Sequence, residues 1–83
     1  MGSSEYRLEL TTLALGNWID LPTKAARAVV DRRLRQVCKD PRGAGALAEA
    51  GRDEYRVRDE DLVIRYAVDE DARVVTVLRI RSV

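Results

Sequence analysis

Between Tyr55 and Ile80 the chain runs through three stretches of alternating apolar and polar residues, separated by the acidic triplets Asp59-Glu60-Asp61 and Asp69-Glu70-Asp71. A period of two marks strands with one buried face. Connections this short leave no room for a crossover, so the three strands must be antiparallel neighbours. They are predicted at 55–58, 62–68 and 73–80. A meander of this size cannot bury its apolar face alone, and the first half of the chain supplies the cover.

Tyr6, Leu8 and Leu10 alternate with Arg7 and Glu9, which predicts a half-buried strand over residues 5–10. Thr11 or Thr12 can then cap a short helix carrying Leu15, Trp18 and Ile19, weakened at Gly16 and interrupted at Leu21-Pro22. Thr23 can cap a stronger helix in which Ala26, Val30, Leu34, Val37 and Cys38 recur every three or four residues. Lys24, Arg27, Asp31, Arg35 and Lys39 fall on its other side. Asp40-Pro41 ends it, because proline breaks the hydrogen-bond ladder and disfavours helix at the preceding residue. Residues 42–53, with Gly43, Gly45 and Gly51, read as a connection holding one irregular helical turn around Leu47. The expected fold is α+β, in the order βααβββ, with two helices on one face of a small, mainly antiparallel sheet.

The chain has 83 residues, enough for one core, and a single domain over residues 5–83 is expected after a flexible leader at 1–4. No apolar run approaches the roughly 20 residues of a membrane span and no signal peptide is visible. With Cys38 the sole cysteine, no intrachain disulfide can form. A cytoplasmic location is expected. Cys38 and Trp18 read as core or packing residues rather than as reactive groups.

Net charge is +1, yet the charges are segregated: residues 23–42 carry seven basic against two acidic side chains, and residues 59–71 carry six acidic against Arg65. Arginine outnumbers lysine thirteen to two. That bias alone does not separate phosphate recognition from the composition of GC-rich genomes. Strand parity says more. If Tyr55, Val57, Leu62, Ile64, Tyr66, Val74, Leu78 and Ile80 face the helices, then Arg56, Arg58, Arg65, Arg79 and Arg81 share the opposite face. Arg7 and Glu9 join them, and Val63, Val75 and Val77 interrupt the set. Like charges on neighbouring strands repel, so such a face calls for an anion, a partner or a full solvent shell.

Three strings, Tyr55-Arg56-Val57-Arg58, Leu62-Val63-Ile64-Arg65-Tyr66-Ala67-Val68-Asp69 and Arg73-Val74-Val75-Thr76-Val77-Leu78-Arg79-Ile80, taken with the Leu21-Pro22 break and the Asp40-Pro41 stop, resemble the RelE/ParE superfamily of type II toxins. The resemblance implies a toxin held by a cognate antitoxin, which acts on ribosome-bound mRNA or on DNA gyrase. It implies RNA-backbone contacts at Arg56 and Arg58, with Arg65, Arg79 and Arg81 as further RNA-binding candidates. The family's Gly-Asp-Tyr-Arg is replaced by Glu60-Asp61-Leu62-Val63, which puts Val63 where an arginine would meet the scissile phosphate. Arg81, Ser82 and Val83 stand where the family's last strand leads into a tyrosine-bearing tail.

RNA cleavage at a 2′-hydroxyl needs a base, charge stabilisation and an acid for the leaving oxygen. The sequence has no histidine, and arginine is too basic to move protons. Histidine-dependent triads, typical zinc sites and a P-loop are excluded, and no cofactor or metal is expected. Reduced or lost cleavage follows. The expected function is a toxin acting on translation, of the ribosome-dependent mRNA-interferase type; the alternatives are a non-catalytic binding or autoregulatory module on the same fold and a gyrase-directed toxin.

Overall fold

The computed structural model describes residues 5–44, 47–48 and 53–82. In chain order the elements are β1 (Arg7–Leu10), α1 (Thr12–Ile19), α2 (Lys24–Lys39), β2 (Leu47–Ala48), β3 (Glu54–Asp59), β4 (Leu62–Asp69) and β5 (Val74–Ser82). They form one mixed sheet in the order β1-β5-β4-β3-β2, in which β1 runs parallel to β5 and the other neighbours are antiparallel. The α+β reading therefore holds. Where the sequence predicts a helical turn around Leu47, the chain instead forms the short strand β2. There Leu47 and Ala48 pair with Arg56 and Tyr55, covering part of an edge of β3 that would otherwise present unpaired backbone groups. The leader at 1–4, Val83 and residues 45–46 and 49–52 of the glycine-rich connection lie outside the described residues.

Both helices start at the predicted threonines. Thr11 accepts a hydrogen bond from the Ala14 amide and Thr23 accepts one from the Ala26 amide, each satisfying one of the orphan donors of a helix N-terminus for about 1 kcal/mol. Helix α2 buries Val30, Leu34, Val37 and Cys38 against Tyr55, Val57, Ile64 and Tyr66 of the sheet, in one continuous core. Trp18 packs at the edge of this core and joins the helices: its indole N–H donates to Asp31 at 3.0 Å, and Arg27 lies 5.7 Å from its ring centroid. Tyr66 is fully buried and donates to the Pro41 carbonyl at 2.5 Å, fastening the chain just after α2 to the middle of the sheet.

Strand β5 corrects the predicted parity. Arg65 pairs with Arg79 but Tyr66 pairs with Val77, so Leu78 is an extra residue and the strand is bulged there. Before the bulge, Val75 and Val77 point into the core and are fully buried. After it, Ile80 takes over that role. Leu78 is half-buried rather than a core anchor, and Val74 is buried but stands outside the core cluster. The expected places of Val75 and Val77 on the arginine face, and of Val74 and Leu78 on the helix face, are thus wrong. One bulged residue inverts the parity of everything before it.

Candidate nucleic-acid interface

The bulge keeps the arginines together. Cross-strand register places Arg56, Arg65 and Arg79 on one rung of β3, β4 and β5, and Arg58, Val63 and Arg81 on the next. All five arginines predicted for this face are on it. Arg56, Arg58, Val63, Arg65 and Arg81 line a concavity of about 550 Å³, with Arg79 beside it on the first rung. Beyond the arginines the same face turns acidic and polar, with Glu54, Ala67, Thr76 and Glu9 in register from β3 to β1.

Their charges are not neutralised evenly. Arg65 makes an ion pair with Glu54 at 3.1 Å and is partly covered. Arg58 donates to the Glu60 carbonyl at 3.4 Å. Among the described residues no carboxylate lies within ion-pair distance of Arg56, Arg58, Arg79 or Arg81, and all four are exposed. On β1, Arg7 is paired with Glu9 at 3.4 Å, so the positive field is centred on β3 and on the end of β5. Four guanidinium groups on adjacent strands repel one another. Phosphate oxygens, which accept paired guanidinium N–H groups, would relieve that repulsion.

Two residues in α1 and its cap hold this end of β5, and sequence reasoning missed both roles. Thr11 donates its hydroxyl proton to the Leu78 carbonyl at 3.2 Å, and the Asn17 side-chain oxygen accepts from the Ile80 amide at 3.0 Å. Parallel pairing with β1 stops at Val77. Side chains from α1 thus take over the backbone groups that β1 no longer pairs, on either side of Arg79. The contacts span more than sixty residues of sequence, and no local pattern announces them.

The proton-transfer groups lie elsewhere. Tyr55 and Tyr66 point into the core, stacked with ring centroids 5.6 Å apart. Burial first, then the neighbouring Tyr55, pushes the Tyr66 hydroxyl up to about 12. Tyr6, the third and last tyrosine, bonds to Glu70 and Arg73 at the far end of the molecule. None of the three reaches the arginine face. Glu54 does, but as the partner of Arg65. Cys38 is buried under α2 with its thiol pushed up by desolvation and then by Glu5, the setting of an inert packing residue. Arranged this way, the guanidinium groups can accept a phosphodiester and polarise it, and among the described residues no tyrosine hydroxyl reaches them.

The architecture is that of the RelE-like toxins. The chain is similar to the toxin of the intact Escherichia coli RelBE toxin–antitoxin complex, with a TM-score of 0.83 at 22% identity over 94% of this chain and 96% of that one. It is also similar to the isolated E. coli RelE toxin, with a TM-score of 0.84 at 23% identity over 93% and 83% of the two chains. A third likeness is to the archaeal RelE–RelB complex of Pyrococcus horikoshii, with a TM-score of 0.78 at 21% identity over 94% of each chain. No curated protein sequence matches at a significant level. Residues 8–83 match the family model for the ParE toxin of the type II toxin–antitoxin system parDE. The chain belongs to this ParE toxin family, within the RelE/ParE superfamily that its sequence resembles. None of its described helices is long and apolar enough to cross a membrane.

Proposed function

We propose that this toxin holds a nucleic-acid backbone on its arginine face and does not cut it. The observation that carries the reading is the two-rung cluster of Arg56, Arg58, Arg79 and Arg81, exposed and without carboxylate partners among the described residues, around a position where Val63 replaces the expected arginine. An arginine cluster stabilises charge without moving protons, and every tyrosine hydroxyl is turned away from it. Membership of the ParE toxin family favours gyrase engaged on DNA as the target. The likeness to RelE structures favours a second reading, a ribosome-directed toxin of the mRNA-interferase type whose cleavage is reduced or lost. In either case the toxin works in the cytoplasm and is restrained by a cognate antitoxin, whose acidic residues would cover Arg79 and Arg81.

Induced expression in a bacterium, with mapping of mRNA ends on stalled ribosomes and assay of DNA supercoiling by purified gyrase, tests both readings. Growth arrest with inhibited supercoiling and no new mRNA ends is the expected result. Discrete cuts in the ribosomal A site would overturn the non-cleaving reading and give Arg65, Arg79 or Arg81 a catalytic part. Growth without either effect would leave a binding or autoregulatory module.

A further inference from the structure

Helix α2 carries six basic residues and one acidic residue, and the fold divides them into two groups. Arg27 and Arg33 are used internally: Arg27 donates to the Leu21 carbonyl at 3.2 Å and lies over Trp18, and Arg33 pairs with Asp59 at 3.0 Å. Lys24, Arg32, Arg35 and Lys39 are exposed, and among the described residues no carboxylate lies within ion-pair distance of them. The one acid of the helix, Asp31, has an oxygen engaged by the Trp18 indole N–H. Arg32, Arg35 and Lys39 follow at spacings of three and four, so they stand one above the other. Lys24 extends the same side by two turns. With a rise of 1.5 Å per residue the stripe is about 22 Å long. Lys39 also complements the helix C-terminus, but that role leaves Arg32 and Arg35 unexplained.

This stripe points away from the sheet. The apolar side of α2 packs on the face opposite the arginines, so the two basic surfaces lie on opposite sides of a molecule whose shortest extent is 23 Å. We propose that the outward side of α2 is a second phosphate-backbone site, and that it takes a nucleic-acid duplex. A duplex presents about one charge per 1.7 Å of axis, a linear array matched to a straight row of cations. The stripe has no aromatic residue on which unpaired bases would stack. It also lacks the apolar anchors that an acidic peptide helix would need, since Ala28 is its sole apolar member. Glu5 and Asp31 share a hollow with Arg35 and Lys39, which places the strongest attraction toward Arg32. The site stands independently of the sheet face, and with both occupied the toxin bridges two segments.

The test uses the full chain with an immobilised 20-base-pair DNA duplex and a second, fluorescent duplex of DNA or of RNA in solution. Wild-type protein is expected to carry the second duplex onto the first. R32E/R35E/K39E and R56E/R58E should each abolish bridging, while each variant still binds a single duplex through its intact face. In the R56E/R58E background, where only the helix site remains, three phosphate contacts give log Kobs against log salt a slope of about −2.7, an affinity loss of about 40-fold between roughly 50 and 200 mM salt, and adding R32E/R35E/K39E should abolish this remaining binding. Should the glutamate variant fail to fold, R32Q/R35Q/K39Q reads the same loss without charge reversal. The DNA and RNA arms separate the two sources of the same backbone. Unchanged remaining binding with bridging intact in either helix variant would overturn the site, as would capture of polyglutamate in preference to both duplexes. Loss of sheet-face binding alone would leave it standing.

Discussion

Two arginine clusters at different places in this molecule have opposite fates. At one end, Arg42 pairs with Glu70 at 2.8 Å, approaches Asp53 at 3.6 Å, bonds the Tyr55 hydroxyl and lies 5.5 Å from that ring's centroid. Arg73 lies over Tyr6, 5.0 Å from the centroid, and donates to its hydroxyl at 3.2 Å. On the open sheet face, Arg56, Arg58, Arg79 and Arg81 have neither carboxylates nor rings beside them among the described residues. The first cluster is structural: cations matched by acids and aromatic faces tie the segment after α2 and the start of β1 to the β4–β5 turn. The second is unmatched, and its repulsion is the cost of the open phosphate site proposed for this face. Arginine content therefore says little by itself; what separates the clusters is the presence of partners.

Exchanging the two clusters' behaviours is the sharpest way to break this contrast. R56E/R58E should lower affinity for single-stranded nucleic acid at low salt by more than about 100-fold and reduce the salt slope by at least about 1.4. Its melting temperature should stay level or rise, because mutual repulsion is relieved. R42A/R73A should do the reverse, melting earlier and binding as before. Filter binding over a salt series and thermal denaturation of both variants check this, and equal binding losses in the two would erase the distinction.

The next effect concerns the buried tyrosine beside the structural cluster. Tyr66→Phe removes the hydroxyl that satisfies the Pro41 carbonyl, and leaving that acceptor bare costs about 1–3 kcal/mol in chemical denaturation. The same change has a pH signature. Because folding raises the Tyr66 hydroxyl from 10.0 to about 12, its neutral form is favoured in the native state. This contribution is complete below pH 10 and is lost as pH climbs toward 12, where the unfolded chain ionises first. Wild type should therefore lose stability more steeply than the variant across that window; parallel curves would mean that Tyr66 is not held neutral by burial.

Much of this contrast was readable from sequence, and the exceptions have physical causes. Period-two alternation located β3, β4 and β5, threonine caps and proline stops bounded the helices, and the arginines of β3 and β4 fell on the expected face. The failures fell at Leu47, where a strand replaces the expected helical turn, and in β5. Val75, Val77 and Ile80 cannot all share a face of an unbroken strand, and in Val74-Val75-Thr76-Val77-Leu78-Arg79-Ile80-Arg81 the polar residues change parity between Thr76 and Arg79. That change was a legible sign of the bulge. The Asn17 and Thr11 anchors were not legible, nor was Arg42 as the hub of a corner. These depend on tertiary proximity, which short-range patterns do not encode.

The smallest expected effect lies within the structural corner itself. The Tyr6 hydroxyl and the Arg42 guanidinium both donate to Glu70, in that order of influence, and they hold its carboxyl below the usual carboxylate range. A carboxyl depressed by folding adds stability that is present above its unfolded value near 4.3 and is lost as pH falls through the folded value. Wild type should thus show a melting temperature that drops on acidification below about pH 4.5. Glu70→Gln keeps an acceptor for Tyr6 but removes the charge, so it should melt slightly earlier at neutral pH and lose less on acidification. Because the corner is open to solvent, about 0.5 M salt should shrink the difference between the two proteins. On the arginine face Glu54 pairs with Arg65, and among the described residues no carboxylate pairs with Arg56 or Arg58, so neutral R56Q/R58Q should leave the acid limb as steep as in wild type. If Glu70→Gln and wild type instead follow the same acid curve at low salt, the matched charges of the corner contribute nothing to folding, and the two clusters would differ in geometry alone.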